Sequence, residues 1–361
     1  LWYNETDYWY EQITDCEYDY ENNCITVDVN AMGTYILEDL EIWVAVWNGT
    51  YEYEDEMLDP EAHWHNEFYY KDIEELADTS IYDESGEYHI YTVNQLAGLV
   101  KLVNEGNHFK DCCFYLEADL DLAGYRWVPI GWYYPADNGY MWEDYPFQGK
   151  FYGNGHTIYN MYISEEEQSN LGMFGRALEG FEVKDLALVD CHIEGKYYVG
   201  GIVGYNDGTV VGSYNEATVF ATSNHVGGIC GQNHDNGKVY DCYNLGNIES
   251  NGDGVGGIVG ILYGGQIAAN YNIGTIIGTY HTGFIVGYNF LTDEKVTNYS
   301  IISCDNISGG TPTNCIIIDG TDVTWNNAKD EMNKMLLELQ IEWHYVNNDS
   351  EIRPLIVSKA N

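Results

Sequence analysis

One apolar and glycine phrase returns at regular intervals through the second half of the chain. It reads Leu171-Gly-Met-Phe-Gly175, Val199-Gly-Gly-Ile-Val-Gly204, Val226-Gly-Gly-Ile-Cys-Gly231, Val255-Gly-Gly-Ile-Val-Gly260 and Gly283-Phe-Ile-Val-Gly287. The closing glycines lie 29, 27, 29 and 27 residues apart. A second phrase follows each of the last four: Tyr214-Asn215, Tyr243-Asn244, Tyr271-Asn272 and Tyr299-Ser300. Between them stand short β-type runs such as Gly274-Thr-Ile-Ile277 and turn chemistry such as Asn206-Asp-Gly208. A fixed period of this size with two or three short strands per unit predicts a solenoid, and the absence of helical periodicity makes it a parallel β-helix of one coil per repeat. Equivalent residues then stack about 4.8 Å apart. Ile202, Ile229, Ile258 and Ile285 are expected to form an inward ladder, the tyrosines a ring stack and Asn215, Asn244 and Asn272 an amide ladder.

The ends of such a column expose unpaired backbone and need covers. Thr92-Val-Asn-Gln95 is a capping box that opens an amphipathic stretch with Val93, Leu96, Val100 and Val103 on one face, ending at Asn104-Glu-Gly106. Ala328, Met332, Met335, Leu336 and Leu339 repeat at helical spacing and predict a second plug. The expected class is therefore all-β, a parallel β-helix with short capping helices, preceded by a small acidic β-rich segment. Residues 1–87 form that segment and connector; 88–361 form the solenoid, with an N-terminal cap over 88–170, repeats over 171–318 and a C-terminal cap over 319–361.

Charge sets that boundary. Of 361 residues, 58 are Asp or Glu and 14 are Lys or Arg, and residues 1–87 hold 25 acids against Lys71 alone. A net charge of −44 repels phosphate backbones, anionic membranes and polyuronates, which leaves cations, neutral sugars and basic protein surfaces as partners. With 45% apolar residues the chain still has ample material for a core. No stretch approaches 18 apolar residues, so no membrane insertion is expected. Leu1 is not an initiator Met, which suggests a piece of a longer or processed chain. Nine cysteines leave at least one thiol unpaired within the chain; Cys16 with Cys24, Cys230 with Cys242 and Cys304 with Cys315 straddle turns and are the candidate pairs.

Several phrases in order carry a resemblance: Val103-Asn-Glu-Gly106, Leu116-Glu-Ala-Asp-Leu-Asp-Leu122, Trp127-Val-Pro-Ile-Gly131, Phe147-Gln-Gly-Lys-Phe-Tyr-Gly-Asn-Gly-His-Thr-Ile158 and the Gly-Gly-Ile-Val-Gly repeats. Over 88–357 the chain resembles bacterial GLUG-motif surface proteins. That resemblance implies a right-handed parallel β-helix in an exported, extracellular or cell-surface protein, commonly one module of a long adhesin-like chain. Some relatives sit beside extracellular peptidase domains. The run from Cys24 to Asp39 looks like the closing strands of a β-rich domain that precedes such modules.

Candidate chemistry is sparse. Glu61, His63, His65 and Glu67 alternate, so on a strand they would face one side as a transition-metal set. Glu117, Asp119 and Asp121 alternate likewise and would offer oxygens to calcium; no organic cofactor is expected. A lyase needs a base and a cationic face, and the few basic side chains of 171–318 fall at unrelated repeat positions. A hydrolase needs two facing carboxylates, for which Asp185, Asp190, Asp207, Asp235, Asp241 and Asp253 are the stock. No nucleophile elbow, zincin motif or phosphate loop is present. The strongest ligand feature is the aromatic insertion 132–147, with Trp132, Tyr133, Tyr134, Tyr140, Trp142 and Tyr145 as candidate contacts for a host or environmental glycan or protein. These observations favour a non-catalytic surface module for adhesion, recognition or spacing; the alternatives are a β-helix enzyme acting on a neutral polysaccharide and an accessory domain of a surface peptidase.

Overall fold

The computed structural model describes residues 71–83, 85–135, 142–290 and 324–341, with short strands elsewhere at 2–4, 9–11, 16–19, 24–27, 34–35, 299–301, 316–318, 344–346 and 355–357. It divides into two units, Leu1–Tyr70 and Lys71–Asn361. In the first, Trp2–Asn4 pairs antiparallel with Trp9–Glu11 and Thr34–Tyr35, and Cys16–Asp19 forms an antiparallel pair with Cys24–Val27. Cys16 there faces Val27 and Cys24 faces Asp19, so the two cysteines are not cross-strand partners.

The second unit is a parallel β-solenoid. Each full coil contributes strands to four sheets, of seven, eight, ten and five strands, whose neighbours come from successive coils. The first face runs from Glu87–Ile90 to Gln266–Ala268, and the second continues to Ile316–Ile318. The third carries the long strands His192–Gly200 and Thr218–Gly227, and the fourth runs from Phe174–Ala177 to Val286–Asn289. The compact unit begins at Lys71 rather than 88: Lys71–Asp72 pairs with Tyr125–Arg126, and Ile73 is fully buried. Residues 71–87, grouped with the connector on charge, thus join the column.

The expected ladders are present. Ile202, Ile229, Ile258 and Ile285 are each 0% exposed, and their backbones are joined by bonds of 3.1, 3.0 and 2.9 Å. Tyr214, Tyr243 and Tyr271 stack with ring centroids 4.7 and 4.8 Å apart and planes within 4°. Asn215 Nδ2 donates to Asn244 Oδ1, and Asn244 Nδ2 to Asn272 Oδ1, both at 2.8 Å. Each Nδ2 also donates to the carbonyl two residues on, at Ala217, Gly246 and Gly274. All three amides are fully buried.

The two repeated phrases explain each other. A Cβ on Gly201 would lie 2.4 Å from Gly228 O and 2.6 Å from Asn215 Oδ1; on Gly228 it would lie 2.3 Å from Gly257 O and 2.5 Å from Asn244. The glycine backbone therefore packs directly on the amide ladder. In the preceding coil the second-face position is Leu188 and Met173 stands in the glycine register, so an apolar pair replaces the polar one. The first coils are filled instead by Phe114, Phe147, Phe151, Phe174 and Phe181.

Helix α1 (Val93–Asn104) buries Leu96, Leu99, Val100 and Val103 against the first coil, and its capping box is complete, with Thr92 Oγ1 accepting from Gln95 N and Gln95 Oε1 from Thr92 N. Helix α2 (Trp325–Glu338) does not plug the column end. Its Ala328, Met332 and Leu336 pack on Tyr243 and Tyr271, and Met335 and Leu339 on Val211, Tyr240 and Ala268, residues of three successive coils. It lies on the flank because the tyrosine stack is an outward apolar strip that needs a cover. Cys230 and Cys242 are free and buried, which corrects their proposed pairing: Cys230 takes the place of a valine between Val203 and Val259 on the fourth face, and Cys242 Sγ lies 3.1 Å from Tyr240 O. Cys304 and Cys315 lie outside the described residues. Among the described residues no helix is long and apolar enough to cross a membrane.

Replacing Ile258 by Ala is expected to cost about 2–5 kcal/mol, and Asn244→Ala about 1–3 kcal/mol for each buried partner it orphans. Chemical denaturation with equilibrium analysis measures both. An Asn244→Ala protein as stable as its parent would remove the amide ladder from the account of stability.

Candidate functional site

The aromatic insertion is a hairpin, Tyr133–Pro135 pairing antiparallel with Trp142–Asp144. It leaves the column between the bridges Ile130–Phe174 and Phe147–Ala177. Trp132 and Tyr145 stand at its base, where Tyr145 N donates to Trp132 O at 3.2 Å. The side chains of Tyr133, Tyr134 and Trp142 and all of Tyr140 lie outside what is described. Of the six candidate aromatics, then, the structure places two.

Trp132 lines a cleft of about 480 Å³ together with Glu74, Lys101, Asn104, Glu105, Val128 and Gln168. That volume lies in the range of small-ligand sites. Three elements build it. The 3₁₀ turn Ile73–Leu76 brings Glu74, the last turn of α1 brings Lys101, Asn104 and Glu105, and the first coil brings Val128 and Trp132. Asn104 holds the walls together: its Oδ1 accepts from Gly131 N at 3.2 Å and Trp132 N at 3.1 Å, and its Nδ2 donates to Pro129 O at 3.2 Å. Lys101 Nζ pairs with Glu105 Oε1 at 2.8 Å. Burial pushes the Glu74 carboxyl above the usual carboxylate range, while Asn104 and Lys101 oppose the shift. The Phe147 side of the hairpin base is anchored by Arg176, which reaches Asp144 at 3.4 Å and lies over the Tyr205 ring at 4.8 Å.

The acidic set Glu117, Asp119 and Asp121 does not converge. Only Leu120–Asp121 is strand, and 117–119 is a corner, so the alternation that would share one face is broken. Glu117 Oε1 meets His89 Nδ1 at 2.6 Å; Asp119 Oδ1 accepts from Thr157 N at 2.9 Å and meets His156 at 3.0 Å; Asp121 Oδ1 accepts from Ala123 N and Asn160 Nδ2. Each carboxylate is held by a different set of partners. Among the described residues no group of three or more His, Cys, Asp or Glu has metal-holding geometry. Glu61, His63, His65 and Glu67 lie outside the described residues.

The six aspartates considered for hydrolysis are dispersed over several corners. Asp185, Asp190 and Asp241 occupy left-handed turn positions, each with φ of 54°. Asp207 and Asp235 flank His234 at 4.0 and 3.8 Å, and Asp253 meets His281 at 2.6 Å. His234 is stacked between Tyr205 and Tyr263, at 5.3 and 5.2 Å, so it belongs to an outward ring ladder.

Comparison with known proteins follows the same lines. The profile described as "The GLUG motif" matches residues 222–249, the coil that holds Val226-Gly-Gly-Ile and Tyr243-Asn244. This one coil carries the GLUG motif. Halomucin of Haloquadratum walsbyi is 31% identical over 144 residues, 39% of this chain, and the match spans only 2% of halomucin's own length. Among solved structures, a chain of Bacteroides ovatus described as a candidate immunoglobulin A1 protease superposes with a TM-score of 0.54 at 18% identity, covering 78% of this chain and 95% of that one. At that identity the likeness shows the solenoid fold alone.

Sequence reasoning missed Glu74, Lys101, Asn104, Glu105, Val128 and Gln168 as cleft residues. The Asn104-Glu-Gly106 helix end was the one local signal, and it reads as punctuation until the Trp132 loop is seen bound to it.

Asp185 supplies a test of the corner electrostatics. Burial raises its carboxyl to about 6, against Gly155 N–H and His156, which lower it. Because the folded value is the higher one, its contribution to stability is full below the ordinary carboxyl range and is lost as pH rises through about 6. Thermal melts from pH 4 to 7 should show the parent losing stability relative to Asp185→Asn; parallel curves would place the carboxyl in water.

Proposed function

We propose that this GLUG chain is an extracellular, non-catalytic surface module that recognises a neutral saccharide in the cleft at Trp132, with the β-solenoid as its rigid support. The observation that carries the reading is the cleft itself, where one indole is joined by carboxylate, amide and ammonium groups on a framework tied by Asn104. Aromatic faces contribute contact area to sugar rings, and flanking polar groups select hydroxyls. The formal charge of −44 disfavours polyanionic glycans. The GLUG match and the likeness to halomucin support a surface setting within a longer chain. Dispersal of the aspartates supports the non-catalytic reading. Calcium would act here by screening the acidic surface rather than in a formed cage.

Binding of neutral oligosaccharides, measured on a glycan array and by calorimetry, is expected to weaken at least tenfold in Trp132→Ala and less in Gln168→Ala. Binding that is unchanged in Trp132→Ala moves recognition elsewhere; no binding at millimolar ligand leaves the spacer role. Product release from a neutral polysaccharide or a peptide substrate would overturn the non-catalytic reading.

A further inference from the structure

The corner between the first and second faces carries one left-handed residue per coil: Asp185, Gly212, Asp241 and Ala269, with φ of 54°, 63°, 54° and 56°. Asp185 is partly exposed, and Gly212, Asp241 and Ala269 are buried. At Asp241 the corner is covered, because the C-terminal cap lies over it, and the residue is 0% exposed. Neither Oδ1 nor Oδ2 of Asp241 has a hydrogen-bond partner among the described residues. A buried carboxylate in that condition is costly, since an ionised group with no donor keeps none of its hydration.

The cap supplies one polar atom nearby. Tyr345, in the strand His344–Val346, is 1% exposed, and its hydroxyl donates to Ala269 O at 2.6 Å, in the coil next to Asp241. That hydroxyl is the cap's nearest influence on the Asp241 carboxyl and pulls it toward the ionised form, but it makes no hydrogen bond to either carboxyl oxygen. Its hydrogen is used at Ala269. An ionised Asp241 is therefore a buried charge without a donor, whereas a protonated one carries no charge that the closed cap would leave uncompensated. Tyr345 is fixed to α2 by a reciprocal pair, Tyr345 N donating to Asn333 Oδ1 at 2.7 Å and Asn333 Nδ2 to Tyr345 O at 2.9 Å. The whole cap therefore shares the state of this acid.

We propose that Asp241 is a protonated acid that latches the C-terminal cap onto the flank of the solenoid, and that the cap lets go as this proton is lost. Release uncovers the tyrosine strip Tyr214, Tyr243 and Tyr271. The surroundings favour the neutral form. Desolvation raises the Asp241 carboxyl well above its ordinary range, outweighing the Tyr345 hydroxyl, which lowers it, and the Asp185 carboxyl two coils earlier adds to the rise. The other titratable groups against it are the weak acids Cys242 and Tyr345, both themselves raised, and Tyr271 beside Tyr345. The packed helix carries Lys329, Asp330, Glu331, Lys334 and Glu338; Lys329 is paired with Asp330 at 3.4 Å, and no cation is among the groups that act on Asp241.

Opening the cap releases one proton, because the exposed acid ionises in the ordinary range and the covered one does not. The opening equilibrium should then rise tenfold per pH unit from about pH 4 up to the titration of the covered acid. Hydrogen exchange of the α2 amides in the full chain, corrected for intrinsic rates, reads this directly. Asp241→Asn keeps the shape and a donor, so its opening is expected to lose that tenfold slope while staying closed. Infrared spectroscopy of the parent at pH 7.5 should also show a carbonyl band of a protonated carboxylic acid. A parent whose exchange slope matches that of Asp241→Asn overturns the latch. So does the absence of the protonated-acid band, which decides the matter even if the variant fails to fold.

Discussion

The close approach of the Gly-Gly backbone to the asparagine ladder is the contact on which the regular part of this molecule depends. Stacked coils place identical residues one above another, so any unfavourable choice is repeated at every level and any favourable one is multiplied. Asn215, Asn244 and Asn272 satisfy one another along the axis and satisfy their own turns within each coil. That leaves no room across the interior for a side chain at Gly201, Gly228 or Gly257. A buried amide is stable only when all its groups are partnered, and here the repeat itself provides the partner. The same logic makes the ladder cooperative, because Asn244 accepts from Asn215 and donates to Asn272.

The cleft lies where this regularity stops. The first coils exchange the amide and glycine pairing for Phe114, Phe147, Phe151, Phe174 and Phe181, and with that irregular aromatic filling come a capping helix, a hairpin and a cleft. An interior of bulky rings tolerates an inserted hairpin because no ladder has to be kept in register there. Along the repeats, by contrast, the acidic residues serve turns: Asp185, Asp190 and Asp241 adopt left-handed backbone conformations that aspartate tolerates better than most side chains. An acid placed for its backbone becomes an electrostatic problem only when something covers it, as the C-terminal cap does at Asp241. The likeness to the Bacteroides ovatus chain reaches the solenoid and no further, so the cleft and the latch rest on the residues of this chain.

Period, strand content and the inward ladders were legible in the sequence because a solenoid repeats its physics at a fixed interval: each Gly-Gly-Ile and Tyr-Asn phrase announces the same corner, and the spacing of 27 to 29 residues leaves a coil as the one unit that fits. The first helix was legible too, since a capping box and an apolar face are local signals. What only the tertiary structure decided depends on which distant segments meet. Helix α2 reads from sequence as an end plug, yet it covers the flank, because its apolar face matches an outward tyrosine strip whose exposure no local pattern reveals. Glu117, Asp119 and Asp121 alternate as if on a strand, but a corner between Leu116 and Leu120 sends them to separate turns. Glu74, Asn104, Trp132 and Gln168 are spread over 95 residues and share a cleft through hydrogen bonds to backbone, which leave no trace in side-chain periodicity. Local chemistry determines the coil; long-range packing determines the cleft and the cover on the flank.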